Sequence, residues 1–180
     1  MTCIVGWIEN DKVYMGADSA GVSGLNLRVR ADEKVFVNGE MLFGFTSSFR
    51  MGQLLRYELS IPEQPASKDD FKYMCTDFIT AVIKCLEKHK FAKVNNNEIS
   101  GGTFLVGYKG KLYYVDDDFQ VGQFALPFAS CGCGEAYALG VMYTLHSQKE
   151  HFGPRVLELA LAAAVEFSAG VRPPFIVKDI

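Results

Sequence analysis

Residues 2–17 read TCIVGWIENDKVYMGA, two apolar runs, Thr2 to Ile8 and Val13 to Ala17, on either side of the polar turn Glu9-Asn10-Asp11-Lys12. Short apolar runs bounded by turn formers predict a β-hairpin. The pattern then repeats. Lys34-Val35-Phe36-Val37 and Met41-Leu42-Phe43-Gly44-Phe45 flank Asn38-Gly39, a dipeptide that tolerates the positive φ angles of tight turns.

From Ser47 the apolar period lengthens toward that of a helix, and Ile61 to Ala66 is a proline-containing break. Beyond it Phe71, Met74, Cys75, Phe78, Ile79, Val82 and Leu86 recur at helical spacing, with Ser67 and Asp70 placed to cap the start. Three further strands are expected at Thr103 to Tyr108, Leu112 to Val115 and Gln120 to Ala125. Helices follow at Gly134 to His146 and Pro154 to Phe167, with Pro154 suited to a first helical position. Phe175 to Lys178 closes the chain as a strand.

Strand pairs alternating with helix pairs exclude a doubly wound fold, in which strands and helices alternate singly. The burial pattern is satisfied by an α+β, four-layer αββα sandwich, two antiparallel sheets face to face with helices outside. Periodicity alone leaves a two-layer α+β arrangement open. No repeat, linker or low-complexity tract interrupts residues 1–180, so one domain is expected.

The 180 residues are 49% hydrophobic, enough for a large core, and carry 18 basic against 21 acidic side chains. A net charge of -3 supplies no bulk positive field for phosphate backbones, so nucleic acid is not an expected partner. No apolar stretch reaches the roughly 20 residues that span a bilayer. Five cysteines, an odd set with no secretory leader before them, fit a reducing cytoplasm better than a disulfide framework.

Thr2 follows an initiator Met whose removal a small second residue permits. The product would be a threonine with a free α-amine, in which the hydroxyl attacks and the amine, with an ordinary pKa of about 7.7 to 8.0, accepts its proton. No catalytic histidine is then needed. The three present, His89, His146 and His151, lie in or beside helices, outside any Ser or Cys nucleophile motif, and are expected at the surface.

The run Thr2-Cys3-Ile4-Val5-Gly6, then Gly16-Ala17-Asp18-Ser19, then Lys34-Val35-Phe36, resembles the N-terminal third of proteasome β-subunits and bacterial HslV. Gly102-Thr103-Phe104-Leu105-Val106-Gly107 resembles that family's central strand. Gly132-Cys133-Gly134-Glu135-Ala136-Tyr137-Ala138-Leu139-Gly140 resembles its Gly-Ser-Gly segment entering a helix, and Ala162-Ala163-Ala164-Val165-Glu166 its Ala-rich helix ending in an acid. The resemblance covers nearly the whole chain.

It implies that Thr2 is the nucleophile, Lys34 the cation beside it and Asp18 the acid holding Lys34. Gly44 falls where the family's glycine donates an oxyanion-hole N–H, and Cys133 and Glu166 fall in the shell around the N-terminal amine. The departures are Cys133 for a common Ser, Glu166 for a usual Asp, Ala169 for a second Ser with Ser168 one place earlier, and Ala20 for a frequent Arg. No cofactor is implied. Cys131-Gly132-Cys133 is half a metal site without a second ligand pair, and Asp116-Asp117-Asp118 is a hairpin turn lacking the other ligands of a calcium loop.

The implied activity is a threonine-type endopeptidase within a ring-shaped homo-oligomer. An ATP-dependent unfoldase would be its partner and unfolded polypeptide its substrate. An N-terminal nucleophile amidase acting on a small molecule, and a non-catalytic scaffold subunit, are the alternatives.

Overall fold

The structure is a computed structural model that describes residues 1–95, 98–148 and 153–180. The opening stretch forms β1 (Cys3–Glu9) and β2 (Lys12–Ala17). Asn10 and Asp11 take φ of 53° and 59° between them, the two positive values of a type I′ turn. The second hairpin pairs β5 (Val35–Asn38) with β6 (Met41–Phe45). Its two-residue turn is Gly39-Glu40, one place later than Asn38-Gly39, and only Gly39, at φ 57°, is left-handed.

Between these hairpins lies a small one that the sequence reading did not foresee, β3 (Ala20–Ser23) with β4 (Asn26–Val29). Another joins β7 (Lys93–Asn95) to β8 (Glu98–Ser100). β9 (Phe104–Tyr108), β10 (Lys111–Val115) and β11 (Val121–Gln123) complete a five-stranded antiparallel sheet of order β11-β10-β9-β6-β5. β12 (Phe128–Gly132), also unforeseen, and β13 (Ile176–Asp179) flank the first hairpin in an antiparallel sheet of order β12-β1-β2-β13.

Helix α1 (Phe49–Tyr57) starts at Ser48, whose hydroxyl accepts from the Arg50 N–H at 3.1 Å. The long helical stretch consists of α2 (Asp70–Tyr73), a π-helical segment Met74–Phe78 and α3 (Ile79–Lys88). Its cap is Asp69, not Ser67. The wider π turns shift the helical phase, so Tyr73, Met74 and Phe78 are buried while Phe71 and Cys75 are exposed, against the expected stripe. Helices α4 (Glu135–Ser147) and α5 (Arg155–Phe167) fall within a residue of expectation.

Side chains alternate across each strand, and the two faces of each sheet bury different partners. Ile4, Val13, Met15 and Ala17 of the first sheet meet Val35, Leu42, Leu105 and Leu112 of the second. From the other face of the first sheet, Cys3, Val5 and Trp7 pack on Ala138, Met142, Leu157, Leu161 and Ala164 of α4 and α5. Phe36, Phe43, Phe104 and Tyr113 of the second pack on Leu54, Leu55, Phe78, Val82 and Leu86. Each fully buried Leu or Phe here contributes about 1.5–3 kcal/mol.

His146 is half-buried rather than superficial, its ring set edge-on against Trp7 and Phe128. His89 lies 3.4 Å from Glu58, and His151 is outside the described residues. All five cysteines are free thiols. Among the described residues, no helix is long and apolar enough to cross a membrane.

Candidate active site

Thr2 directly precedes β1, where pairing with β12 on one side and β2 on the other fixes the chain. Gly132, at the end of β12, has φ of 101°, and a Cβ there would lie 2.3 Å from the Thr2 carbonyl oxygen. Only glycine permits both that backbone and that approach. Thr2 itself is 4% exposed.

Asp18, just beyond β2, and Lys34, just before β5, reach Thr2 from the two sheets. Lys34 Nζ donates to Thr2 Oγ1 at 2.8 Å and to Asp18 Oδ1 at 2.8 Å. Asp18 Oδ1 also accepts from the Cys3 N–H at 2.9 Å, and Oδ2 from the N–H groups of Ala20 (2.8 Å) and Arg172 (3.2 Å). A carboxylate with four donors is held in one orientation, and those hydrogen bonds offset the cost of burying it. Burial pushes the Lys34 ammonium below the ordinary lysine pKa, and the charge and hydrogen bond of Asp18 oppose that shift.

The Thr2 hydroxyl donates to the Met1 carbonyl at 2.6 Å while accepting from Lys34. The Thr2 N–H points at Cys133 Sγ, 3.2 Å away; the Cys133 thiol lies 3.4 Å from the Thr2 carbonyl and accepts from Ser168 Oγ at 3.3 Å. Cys133 therefore stands beside the nitrogen of Thr2 as the resemblance implies. Cys3 and Cys131 are different: burial raises the Cys3 thiol to about 12 and the Cys131 thiol well above its usual range, which leaves both protonated.

Two expected members are not brought to Thr2. Glu166 is exposed as the penultimate residue of α5, and it is Ser168, just past the helix, that hydrogen-bonds Cys133. Gly44 sits between the sheets, where a Cβ would lie 2.4 Å from Met15 Sδ and 2.6 Å from Ile4 Cγ2. The hollow beside Thr2, about 60 Å³, is lined instead by Phe45, Thr46, Ser47, Ser48 and Phe49, with Val22 opposite. Phe45 N–H bonds to Lys34 O and Thr46 N–H to Thr103 O. The Ser47 N–H has no protein acceptor among the described residues, and Ser47 takes a φ of 66°.

Ser47 and Arg172 were not anticipated. A left-handed serine has no sequence signature, and Arg172, whose guanidinium donates to the carbonyl of Val171 at 2.7 Å, reaches the site through its main chain. The wall of the hollow also depends on Gly52 of α1, against which the Phe45 ring packs: a Cβ there would come within 2.2 Å of the ring. A separate cavity of about 500 Å³, between Met41, Ile61, Tyr73 and Tyr108, contains none of these residues. Among the described residues, no three His, Cys, Asp or Glu side chains converge as metal ligands.

No protein-family model matches the sequence, and no curated protein matches it. Solved structures do match along its whole length. BPH of Thiobacillus denitrificans, solved in complex with epoxomicin, superposes with a TM-score of 0.81 at 20% identity, over 99% of this chain and 98% of that one. The eukaryotic HslV of Trypanosoma brucei gives 0.70 at 15% identity over 99% and 98%. The Gly-1 mutant of Anbu from Hyphomicrobium sp. strain MC1 gives 0.70 at 12% identity over 98% and 80%. The class is thus set by architecture: antiparallel sheets and helices in the arrangement of HslV. The chain has the proteasome-like, HslV-like fold.

Proposed function

We propose that this chain is a threonine-type endopeptidase, built as a four-layer αββα sandwich over residues 1–180, with Thr2 as nucleophile once its α-amine is free. The observation that carries the reading is the Lys34 ammonium held 2.8 Å from both Thr2 Oγ1 and Asp18 Oδ1. A buried cation there stabilises negative charge developing on Oγ1 and, by like-charge repulsion, favours the neutral form of a neighbouring amine.

The amine takes the hydroxyl proton as Oγ1 attacks the peptide carbonyl, and the amine proton passes to the leaving nitrogen as the C–N bond breaks. An ester on Thr2 remains. Water, its proton taken by the same amine, attacks the ester and releases the acid, returning the proton to Oγ1. We assign the oxyanion donor to the Ser47 N–H rather than to Gly44, because Ser47 lines the hollow at Thr2 and its N–H is unspent. Cys133, steadied by Ser168, positions the amine.

The likeness to HslV supports a closed ring of identical chains, and the exposed Leu25, Leu27 and Val29 on the β3–β4 hairpin offer apolar contact area for it. An ATP-dependent unfoldase feeding unfolded polypeptide completes the proposal. The five free thiols suit a cytoplasmic setting.

Because a similar structure holds epoxomicin, the direct test is intact mass after exposure to a peptide epoxyketone. One adduct, mapped to Thr2 and absent from Thr2→Ala, is expected. Peptide turnover with no adduct on Thr2 would sink the reading. Sedimentation should report at least six chains, and an active monomer would favour the small-molecule amidase.

A further inference from the structure

The hollow at Thr2 does not end at Phe49. Val22 and Phe49 line it and also line a second, larger cleft of about 390 Å³, whose other walls are Ser23, Asn26, Arg28 and Arg30. The two spaces therefore share walls. A chain extended from the reacting bond advances about 3.3 Å per residue, so side chains a few positions along it reach the second cleft.

The charges around this cleft are unequal. Arg30 stacks on Phe49, its guanidinium carbon 3.7 Å from the ring centroid, and binds Asp32 through Nε at 2.6 Å and Nη2 at 2.5 Å. Asp32 is thereby satisfied. Glu33, the next acid along the chain, faces Lys178 at 3.1 Å and Arg56 at 3.8 Å. Arg28, in contrast, has no ion-pair partner among the described residues and sits on a strand whose four residues are all exposed. Asn26 and Ser23 add neutral hydrogen-bonding side chains beside it.

We infer that this cleft is a subsite for an acidic side chain of the polypeptide, a few residues from the bond presented to Thr2, with Arg28 as the residue that selects it. The inference rests on the peptidase reading for its substrate class. A guanidinium with a free fork is matched by a carboxylate, while Asp32, already bound twice by the Arg30 that stacks on Phe49, is not paired with Arg28.

The test measures binding without turnover. Fluorescence anisotropy on the Thr2→Ala protein compares extended peptides that carry Glu or Gln at single positions. At low salt the best Glu peptide should bind about threefold to tenfold tighter than its Gln counterpart, and added salt should shrink the difference. Arg28→Ala should abolish the preference, and Arg28→Glu should transfer it to Lys peptides. Arg155→Glu, the same charge change on α5, should leave it intact. Equal binding of Glu and Gln peptides, or a preference that survives Arg28→Glu, overturns the inference. Turnover of a neutral peptide by the wild-type chain tests the peptidase reading separately, so the two can fail independently.

Discussion

The Lys34 ammonium and the Asp18 carboxylate form a 2.8 Å ion pair in which neither side chain reaches solvent, at 1% and 0% exposure. Lys34 closes the chain of contacts to Thr2, and Asp18 anchors it to the N–H groups of Cys3, Ala20 and Arg172. The pair thus links the start of β1, the end of β2 and the start of β5 around one positive charge.

Removing that charge should cost activity first. Lys34→Ala should lower kcat by about 10²-fold or more, and Lys34→Arg should recover little, since a planar guanidinium does not replace a compact ammonium. A rate within a few-fold of wild type would take Lys34 out of the reaction.

The same burial predicts opposite pH trends for rate and stability. The folded pKa of Lys34 is lowered, so its charge is lost below the ordinary value of about 10.4, and the rate should fall there on the alkaline side. In that window the unfolded chain binds more protons. The contribution of Lys34 to stability therefore rises with pH and is lost as pH falls through the folded pKa. Urea midpoints of wild type and Lys34→Met, compared across alkaline pH, check the sign.

Breaking the pair from one side should be worse than deleting both charges. Asp18→Ala strands Lys34 and three main-chain donors and should cost about 3–5 kcal/mol, while Asp18→Asn with Lys34→Met should cost much less. Equal losses in urea titrations would show that the pair is not energetically coupled.

Cys133 is either an aid to the Thr2 amine or a rival nucleophile, and two variants separate these roles. As an aid, a weak thiol donor gives way to a better one, so Cys133→Ser should keep or raise turnover while Thr2→Ala abolishes it and Thr2→Ser retains part. An active Thr2→Ala with a dead Cys133→Ser would overturn the threonine mechanism.

Glu166→Gln should leave kcat within about twofold, a surface-sized effect, whereas Ser168→Ala should lower it by loosening Cys133. In the same set, Gly44→Ala should destabilise strongly by forcing Met15 and Ile4 apart. Ser47→Gly should keep activity, because it retains the main-chain N–H and suits a φ of 66°. A large loss in Glu166→Gln would return the acid to the site.

Much of the fold was legible where chemistry is local. Asn10-Asp11 and Lys109-Gly110 announce turns and both adopt two positive φ values, and the apolar periods of α3, α4 and α5 mark their extents. β12 was not legible: Phe-Ala-Ser-Cys-Gly has weak strand preference, and pairing with β1 imposes its form. β4 alternates, as Asn26-Leu27-Arg28-Val29, but over only four residues that are all exposed, too short a run to stand out. At the site, the positions of Thr2, Asp18, Lys34 and Cys133 came from the resemblance and are adjacent in space. Gly44 and Glu166 lie elsewhere: Gly44 packs between the sheets against Met15 and Ile4, and Glu166 is exposed at the end of α5, placements that depend on tertiary packing rather than on local composition.

The glycine at position 52 gives the hollow at Thr2 a rear adjustment. Phe45 lines that hollow and also packs against the bare backbone of Gly52. Any methyl group added at 52 must displace the ring, and the bore of the entrance changes while every reacting atom stays where it was. On the proposed function, selectivity would therefore be tunable from behind the wall, by substitutions outside the hollow itself.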